Sequence, residues 1–76
     1  MPRFYFDVRQ NSQIIADTEG EELPDTAAAE REAALAAAHL AKELLSGPHG
    51  SVVVEVRDAQ GQPIVRAKVS LDVERP

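Results

Sequence analysis

The chain has 76 residues, no cysteine and a formal net charge of −5. This length predicts one domain, residues 1–76, with a thin hydrophobic core, and the lack of thiols excludes disulfides and cysteine-based zinc sites. The acidic excess argues against general nucleic-acid binding, because such binding needs Lys and Arg to displace counterions from phosphates. We therefore expect a small protein that gains stability by self-association as a homodimer.

The N-terminal stretch MPRFYFDVRQ has neither the charged start nor the long apolar segment of a signal peptide. No apolar run approaches the roughly 20 residues that a membrane-spanning helix needs. The sequence therefore predicts a cytoplasmic protein with no membrane contact.

The first segment, RFYFDVR (residues 3–9), alternates, with Phe4, Phe6 and Val8 on one side. This pattern predicts a half-buried strand. The turn residues QNSQ (10–13) and the short apolar stretch IIAD (14–17) follow, so the two strands are expected to form a hairpin.

The next segment, ADTEGEELPD (16–25), contains five acidic side chains and no basic one. One interpretation is a helix start, in which Gly20 permits a turn, Leu23 enters the core and Asp25 or Thr26 caps the helix. The other is a surface for a basic partner, formed by Asp17, Glu19, Glu21 and Glu22. A calcium loop of the EF-hand type is not predicted. That loop needs glycine at its sixth position, whereas Gly20 is the fourth residue when Asp17 is counted as the first. A divalent-cation site of less regular spacing remains an alternative interpretation of these carboxylates.

Residues 26–46 are rich in Ala, Leu and Glu, which predicts a helix. Gly47 and Pro48 within SGPHG (46–50) are expected to end it. Small and apolar residues share one helical face: Ala29, Ala33, Ala37, Leu40, Ala41, Leu44 and Leu45. Leu35 interrupts the opposite, charged face. It is either a single exposed Leu or a contact point for a second chain.

Two further strands are predicted at residues 51–58 and 64–73, joined by the turn AQGQP (59–63). The sum is an α+β fold of two layers, ββαββ, with a four-stranded antiparallel sheet and one helix packed on one face. If the first and third predicted strands are central neighbours, every pair is antiparallel and the long last strand lies at an edge. An exposed edge of this kind invites pairing with another strand.

The sequence offers little for catalysis. His39 and His49 are the only imidazoles, there is no cysteine nucleophile, and no GxSxG, P-loop or GxGxxG motif occurs. We therefore expect no enzymatic activity, no cofactor and no metal site.

The outer sheet face suggests an alternative function. A nucleic-acid interface could use its basic and aromatic residues: Arg3, Tyr5, Arg9, Arg66 and Lys68. Asp7, Glu55 and Asp72 share this face, so pairing of charges across the strands is the competing interpretation.

Four stretches carry a resemblance to a known family: MPRFYFDVR, DTEGEELPD, AKELL and VEVRDAQGQPI. They resemble a family of short uncharacterised proteins of rhizobia and related alphaproteobacteria, a domain of unknown function. Its motifs are M-P-R-Y-F-F-x-V, D-x-E-G-x-E-L-P-D and V-x-D-x-x-G. The matching positions are residues 2–8, Asp17, Glu19, Gly20, Glu22, Leu23, Pro24, Asp25, Val56, Asp58 and Gly61. Within residues 2–8 there is one departure, because Phe4 and Tyr5 stand where the family often has Tyr and then Phe. The resemblance implies no activity, cofactor or catalytic residue.

The sequence thus predicts a non-enzymatic protein-interaction module with a regulatory role. We expect it to act as a homodimer, with its acidic stretch facing a partner. Leu35 and the edge of the last strand are the expected self-association contacts.

Overall fold

In the computed structural model, which describes residues 1–45 and 49–76, one helix packs against an antiparallel sheet. The elements in chain order are β1 (Arg3–Gln10), β2 (Gln13–Ile15), β3 (Glu21–Glu22), α1 (Thr26–Leu44), β4 (His49–Arg57) and β5 (Pro63–Asp72). The strand order is β2-β1-β4-β5, and β3 pairs with β1. Within the described residues, the α+β class, the single helix and the antiparallel sheet are confirmed, and the sheet has a fifth strand of two residues, β3, besides the predicted four.

The two central strands are β1 and β4, as expected from the antiparallel arrangement. Phe6 lies opposite Val56 and Val8 lies opposite Val54, so the apolar residues of both strands face the helix together. On the other side of β4, β5 pairs from Pro63 to Asp72 and forms one edge of the sheet. The long last strand therefore lies at an edge, where the sequence placed it.

The additional strand, β3, gave no signal in the sequence. It contains only Glu21 and Glu22, which pair with Phe4 and Arg3 of β1. Two consecutive glutamates have low strand propensity, so tertiary pairing overrides local preference here. The second strand is also shorter than predicted: β2 ends at Ile15, because the Asp17 backbone and side chain turn back to bind β1.

Helix α1 begins where the sequence predicted. Asp25 is its N-cap and accepts a hydrogen bond from the backbone N–H of Ala28 at 2.9 Å. The helix ends at Leu44, and Leu45 is extended. The predicted stop at Gly47 and Pro48 lies outside the described residues. Among the described residues, no helix combines the length and hydropathy that a bilayer crossing requires.

The core is made of small helix residues against larger sheet residues. Ala29, Ala33 and Ala37 are buried, and they allow the helix to lie close to the sheet. The buried sheet residues are Phe4, Val52, Val54 and Val56. Three alanines, three valines and one phenylalanine make this core thin, which leaves little apolar burial to stabilise the chain.

Candidate functional site

The acidic loop, residues 17–22, is folded around the side chain of Asp17. One carboxylate oxygen, Oδ1, accepts hydrogen bonds from the backbone N–H groups of Glu19 and Gly20 at 3.0 and 3.1 Å. The other, Oδ2, accepts one from the backbone N–H of Phe6 in β1 at 3.1 Å. Asp17 therefore ties the loop to itself and to the sheet.

Gly20 completes this turn and approaches β1 closely. Its φ of +75° is left-handed, a conformation that favours glycine. A Cβ atom at this position would lie 2.9 Å from Arg3 Cγ, 2.9 Å from Tyr5 Cε2 and 3.0 Å from the Phe4 carbonyl oxygen. Both the backbone conformation and the space available thus require glycine.

An ion pair between Asp7 and Arg57 supports the loop from the outer sheet face. The Arg57 Nε donates to Asp7 Oδ2 at 2.6 Å. The Nη2 of the same guanidinium donates to the Asp17 carbonyl oxygen at 2.9 Å. The Asp17 N–H in turn donates to Asp7 Oδ1 at 2.9 Å. The guanidinium also lies 4.9 Å from the centre of the Tyr5 ring, a cation–π contact.

Sequence reasoning did not find this network. The alternation of residues 3–9 puts Asp7 on the outer sheet face, and that of residues 51–58 puts Arg57 on the same face, which was the available signal. Their pairing is diagonal, since Asp7 lies directly opposite Glu55 and Arg57 lies opposite Tyr5. The link to the Asp17 backbone depends on the loop conformation, which the sequence pattern does not encode.

The network shifts the pKa values of its members. The hydrogen bond from Arg57 lowers the pKa of Asp7 below its ordinary value of 3.8, against an opposing effect of burial. Burial would raise the pKa of Asp17, but hydrogen bonds from the N–H groups of Gly20, Phe6 and Glu19 outweigh it and lower that pKa. The bond to Asp7 raises the pKa of Arg57. All three groups are held in their charged forms.

The end of the acidic stretch leads the chain into the helix. The Leu23 N–H donates to the Pro2 carbonyl at 3.0 Å, and the Leu23 side chain packs against the core. Asp25 then caps α1. The helix-start interpretation therefore accounts for Gly20, Leu23 and Asp25, and the structural role of Asp17, which was predicted only as a partner contact, adds to it.

Three glutamates of the acidic loop remain at the surface. Glu22 forms an exposed ion pair with Arg3 at 3.4 Å, while Arg3 also donates to the Glu19 carbonyl at 2.8 Å. Within the described part of the chain, no hydrogen bond or ion pair engages the Glu19 or Glu21 carboxylate. Among these residues, no group of three His, Asp or Glu side chains is arranged to hold a metal ion. The loop thus presents two free carboxylates on a fixed backbone.

The outer sheet face carries the residues of the alternative nucleic-acid hypothesis. Arg66 binds Glu55 at 2.9 Å, whereas Arg9 and Lys68 form no ion pair among residues 1–45 and 49–76. Arg9 and Lys68 flank Val53 in one row across the strands and line a shallow depression of about 280 Å³. Tyr5 lies under Arg57, so the structure brings these residues to one face without presenting an open aromatic surface.

The two expected self-association contacts lie on different parts of the molecule. Leu35 on α1 is 61% exposed. The strand β5 pairs only with β4 within the described residues, so its other side forms a free edge. Leu71 near the C-terminal end of β5 is 37% exposed, and Val73, just beyond the strand, is 54% exposed.

Comparison with known proteins supports the family resemblance seen in the sequence. No curated protein and no solved structure matches the chain. A family model matches residues 3–70, which span β1 to most of β5. The motif spellings and the alphaproteobacterial origin stay predictions. The chain belongs to the family described as a domain of unknown function, DUF6894.

Proposed function

We propose that this chain is a non-enzymatic, regulatory protein-interaction module of the cytoplasm, which acts as a homodimer and presents its acidic loop to a basic partner. The observation that carries the proposal is the pair of free carboxylates, Glu19 and Glu21. They project from a loop whose backbone is held by Asp17 and Arg57.

A fixed loop favours binding because less conformational entropy is lost when a partner arrives. In this loop, Asp17 acts through the shape of the backbone rather than by contact, since its oxygens already accept three N–H groups. The Glu22 carboxylate already forms an ion pair with Arg3. We therefore assign direct contact chiefly to Glu19 and Glu21.

Charge complementarity identifies the class of partner. Clustered carboxylates attract a basic surface, speed association and make binding sensitive to salt. We expect the affinity to fall as ionic strength rises, because these side chains are exposed and screened by solvent ions.

The groups with shifted pKa values favour a structural duty over acid–base catalysis. Asp7, Asp17 and Arg57 hold one another and nearby backbone N–H groups. Catalytic acids and bases more often have a pKa moved toward neutrality, whereas both carboxyl groups here are moved in the acidic direction. This supports a structural rather than a catalytic role for these three residues.

Self-association is proposed because the core is thin and β5 has a free edge. Leu35 offers a second apolar contact. Light scattering across a dilution series tests the dimer, and a strict monomer at high concentration would contradict it.

The acidic loop is tested with two variants of equal net charge. We expect Glu19→Lys with Glu21→Lys to abolish capture of a basic partner from the native cell. The matched control, Glu30→Lys with Glu32→Lys, changes two exposed helix positions by the same charge. Loss of the same partner in both variants, or retention in both, would contradict a role for the loop.

The alternative function is nucleic-acid binding by the outer sheet face. Arg9 and Lys68 favour it, because both lie on one row and have no described ion-pair partner. The Arg57 guanidinium over Tyr5 weighs against base stacking. A gel-shift experiment at low salt, where phosphate contacts are strongest, rules this alternative out if no complex forms.

A further inference from the structure

The edge of β5 that faces away from β4 is long, and no strand among the described residues pairs with it. β5 runs from Pro63 to Asp72 and pairs on one side with β4. An edge strand of an antiparallel sheet directs alternate backbone N–H and C=O groups away from its neighbour. The only proline of β5 is its first residue, so the remaining N–H donors are present. This edge can accept another strand.

The helix side of this edge is incompletely covered. Val65, Ala67 and Val69 are half-buried, but Leu71 is 37% exposed at the end of the strand. Val73 continues the alternation just beyond it and is 54% exposed. Water therefore contacts apolar side chains that a neighbouring strand would cover.

We propose that β5 pairs antiparallel with β5 of a second copy about a twofold axis at Ser70. This inference rests on the self-association in the proposed function and specifies its geometry. The axis places Lys68 of one chain opposite Asp72 of the other and Arg66 opposite Glu74. On the helix side, Val69 lies opposite Leu71. Each contact occurs twice because the arrangement is symmetric.

The charges of β5 select this register. Opposite charges directly across two strands are stabilising, whereas like charges are destabilising. An axis at any of residues 66–68 sets Arg66 or Lys68 against a like charge. An axis one residue before Ser70 places Arg66 opposite Asp72 but leaves Lys68 opposite a serine. Only the axis at Ser70 gives Lys68 an acidic partner within β5 while residues 68–72 of both copies stay paired. Arg66 already binds Glu55, and Glu74 lies beyond the end of β5, so Lys68 and Asp72 carry the choice of register.

The proposed pairing also fits the side chains that are free in a single copy. Lys68 forms no ion pair within the described chain, and the Asp72 carboxylate binds only the exposed His49 ring at 3.0 Å. A twofold axis perpendicular to the sheet keeps both helices on the same face. The sheet therefore continues from one copy to the other, and its apolar side remains common to both.

The register is tested by charge exchange. Lys68→Asp and Asp72→Lys each place like charges opposite one another twice, so each variant alone is expected to weaken the dimer at least about tenfold. An equimolar mixture restores opposite charges at both contacts and is expected to recover the wild-type dissociation constant to within about threefold. Sedimentation equilibrium on wild type, variants and mixture gives these constants. Circular dichroism checks that each variant is folded.

Two exposed helix substitutions, Arg31→Asp and Glu32→Lys, change the net charge equally and serve as controls. Wild-type protein that stays monomeric contradicts the proposed self-association itself. A wild-type dimer contradicts only the register if the β5 variants dimerise as the controls do, or if their mixture fails to recover.

Discussion

Replacing Gly20 with alanine separates the two reasons for glycine in the acidic loop. Gly20 has a φ of +75° and would bring a Cβ to 2.9–3.0 Å from three atoms of β1. Gly61, in the turn between β4 and β5, has a φ of +84° but no atom within 4 Å of such a Cβ. The Gly61→Ala variant therefore reports the backbone effect alone.

The expected magnitudes follow from these contacts. A non-glycine residue in the left-handed region costs roughly 1–2 kcal/mol, and reduced freedom of the unfolded chain offsets about 0.4–1 kcal/mol of that. We expect Gly61→Ala to lower the free energy of unfolding by about 1 kcal/mol. Gly20→Ala adds overpacking of about 1–3 kcal/mol, for a total of about 2–4 kcal/mol. A chain of this size has roughly 4–11 kcal/mol in all.

The assay is urea unfolding at neutral pH, followed by far-UV circular dichroism at one low protein concentration. The unfolded-state effect is common to both variants and cancels in their comparison. If Gly20→Ala costs no more than Gly61→Ala, β1 does not approach Gly20 closely enough to hold the loop in one conformation.

Three further predictions concern the groups around this loop and the helix. Asp7→Asn is expected to lower the free energy of unfolding by about 1–3 kcal/mol at pH 7, because it removes the charged partner of Arg57. The pKa of Asp7 in the folded state lies below 3.8, so the stability that its carboxylate contributes is present above pH 3.8 and is lost as the pH falls through the folded-state pKa. When the free energy of unfolding is measured from pH 7 to pH 2, it should therefore fall less steeply for the variant than for wild type. Asp25→Ala should cost about 1 kcal/mol in thermal unfolding through loss of the N-cap, and an unchanged midpoint would contradict the capping bond. Leu35→Glu should change unfolding of the dilute monomer by less than about 0.5 kcal/mol, because the side chain is 61% exposed; a dimer constant weakened in the same variant would place Leu35 in an interface.

Local patterns predicted most of the fold. Alternation found β1, β4 and β5, and the angular distribution of alanines found the buried face of the helix. The turn at residues 59–63 was also predicted, but Asp58 was assigned to the preceding strand, whereas its Oδ1 accepts N–H groups from Gln60 and Gln62 and so belongs to the turn. These features depend on residues close in sequence, which is where periodicity and propensity carry information.

What the sequence did not predict depends on distant partners. The strand β3 exists because Glu21 and Glu22 meet β1 some 18 residues earlier in the chain. The role of Arg57 depends on contacts with Asp7 and Asp17, 50 and 40 residues away. Neither glutamates in a strand nor a diagonal ion pair follows from a local pattern, because the loop conformation must be known first.

The residues of the acidic stretch differ in whether folding explains them, and this difference bears on the function of the acidic loop. Asp17, Gly20 and Asp25 have structural duties that explain their residue types from geometry alone. Glu19 and Glu21 have no such duty within the described chain, and two like charges so close together repel each other on the folded loop. Folding stability therefore gives no reason for carboxylates at these two positions. A basic partner would supply one, and neutral substitutions at both should then leave the chain at least as stable while weakening its binding.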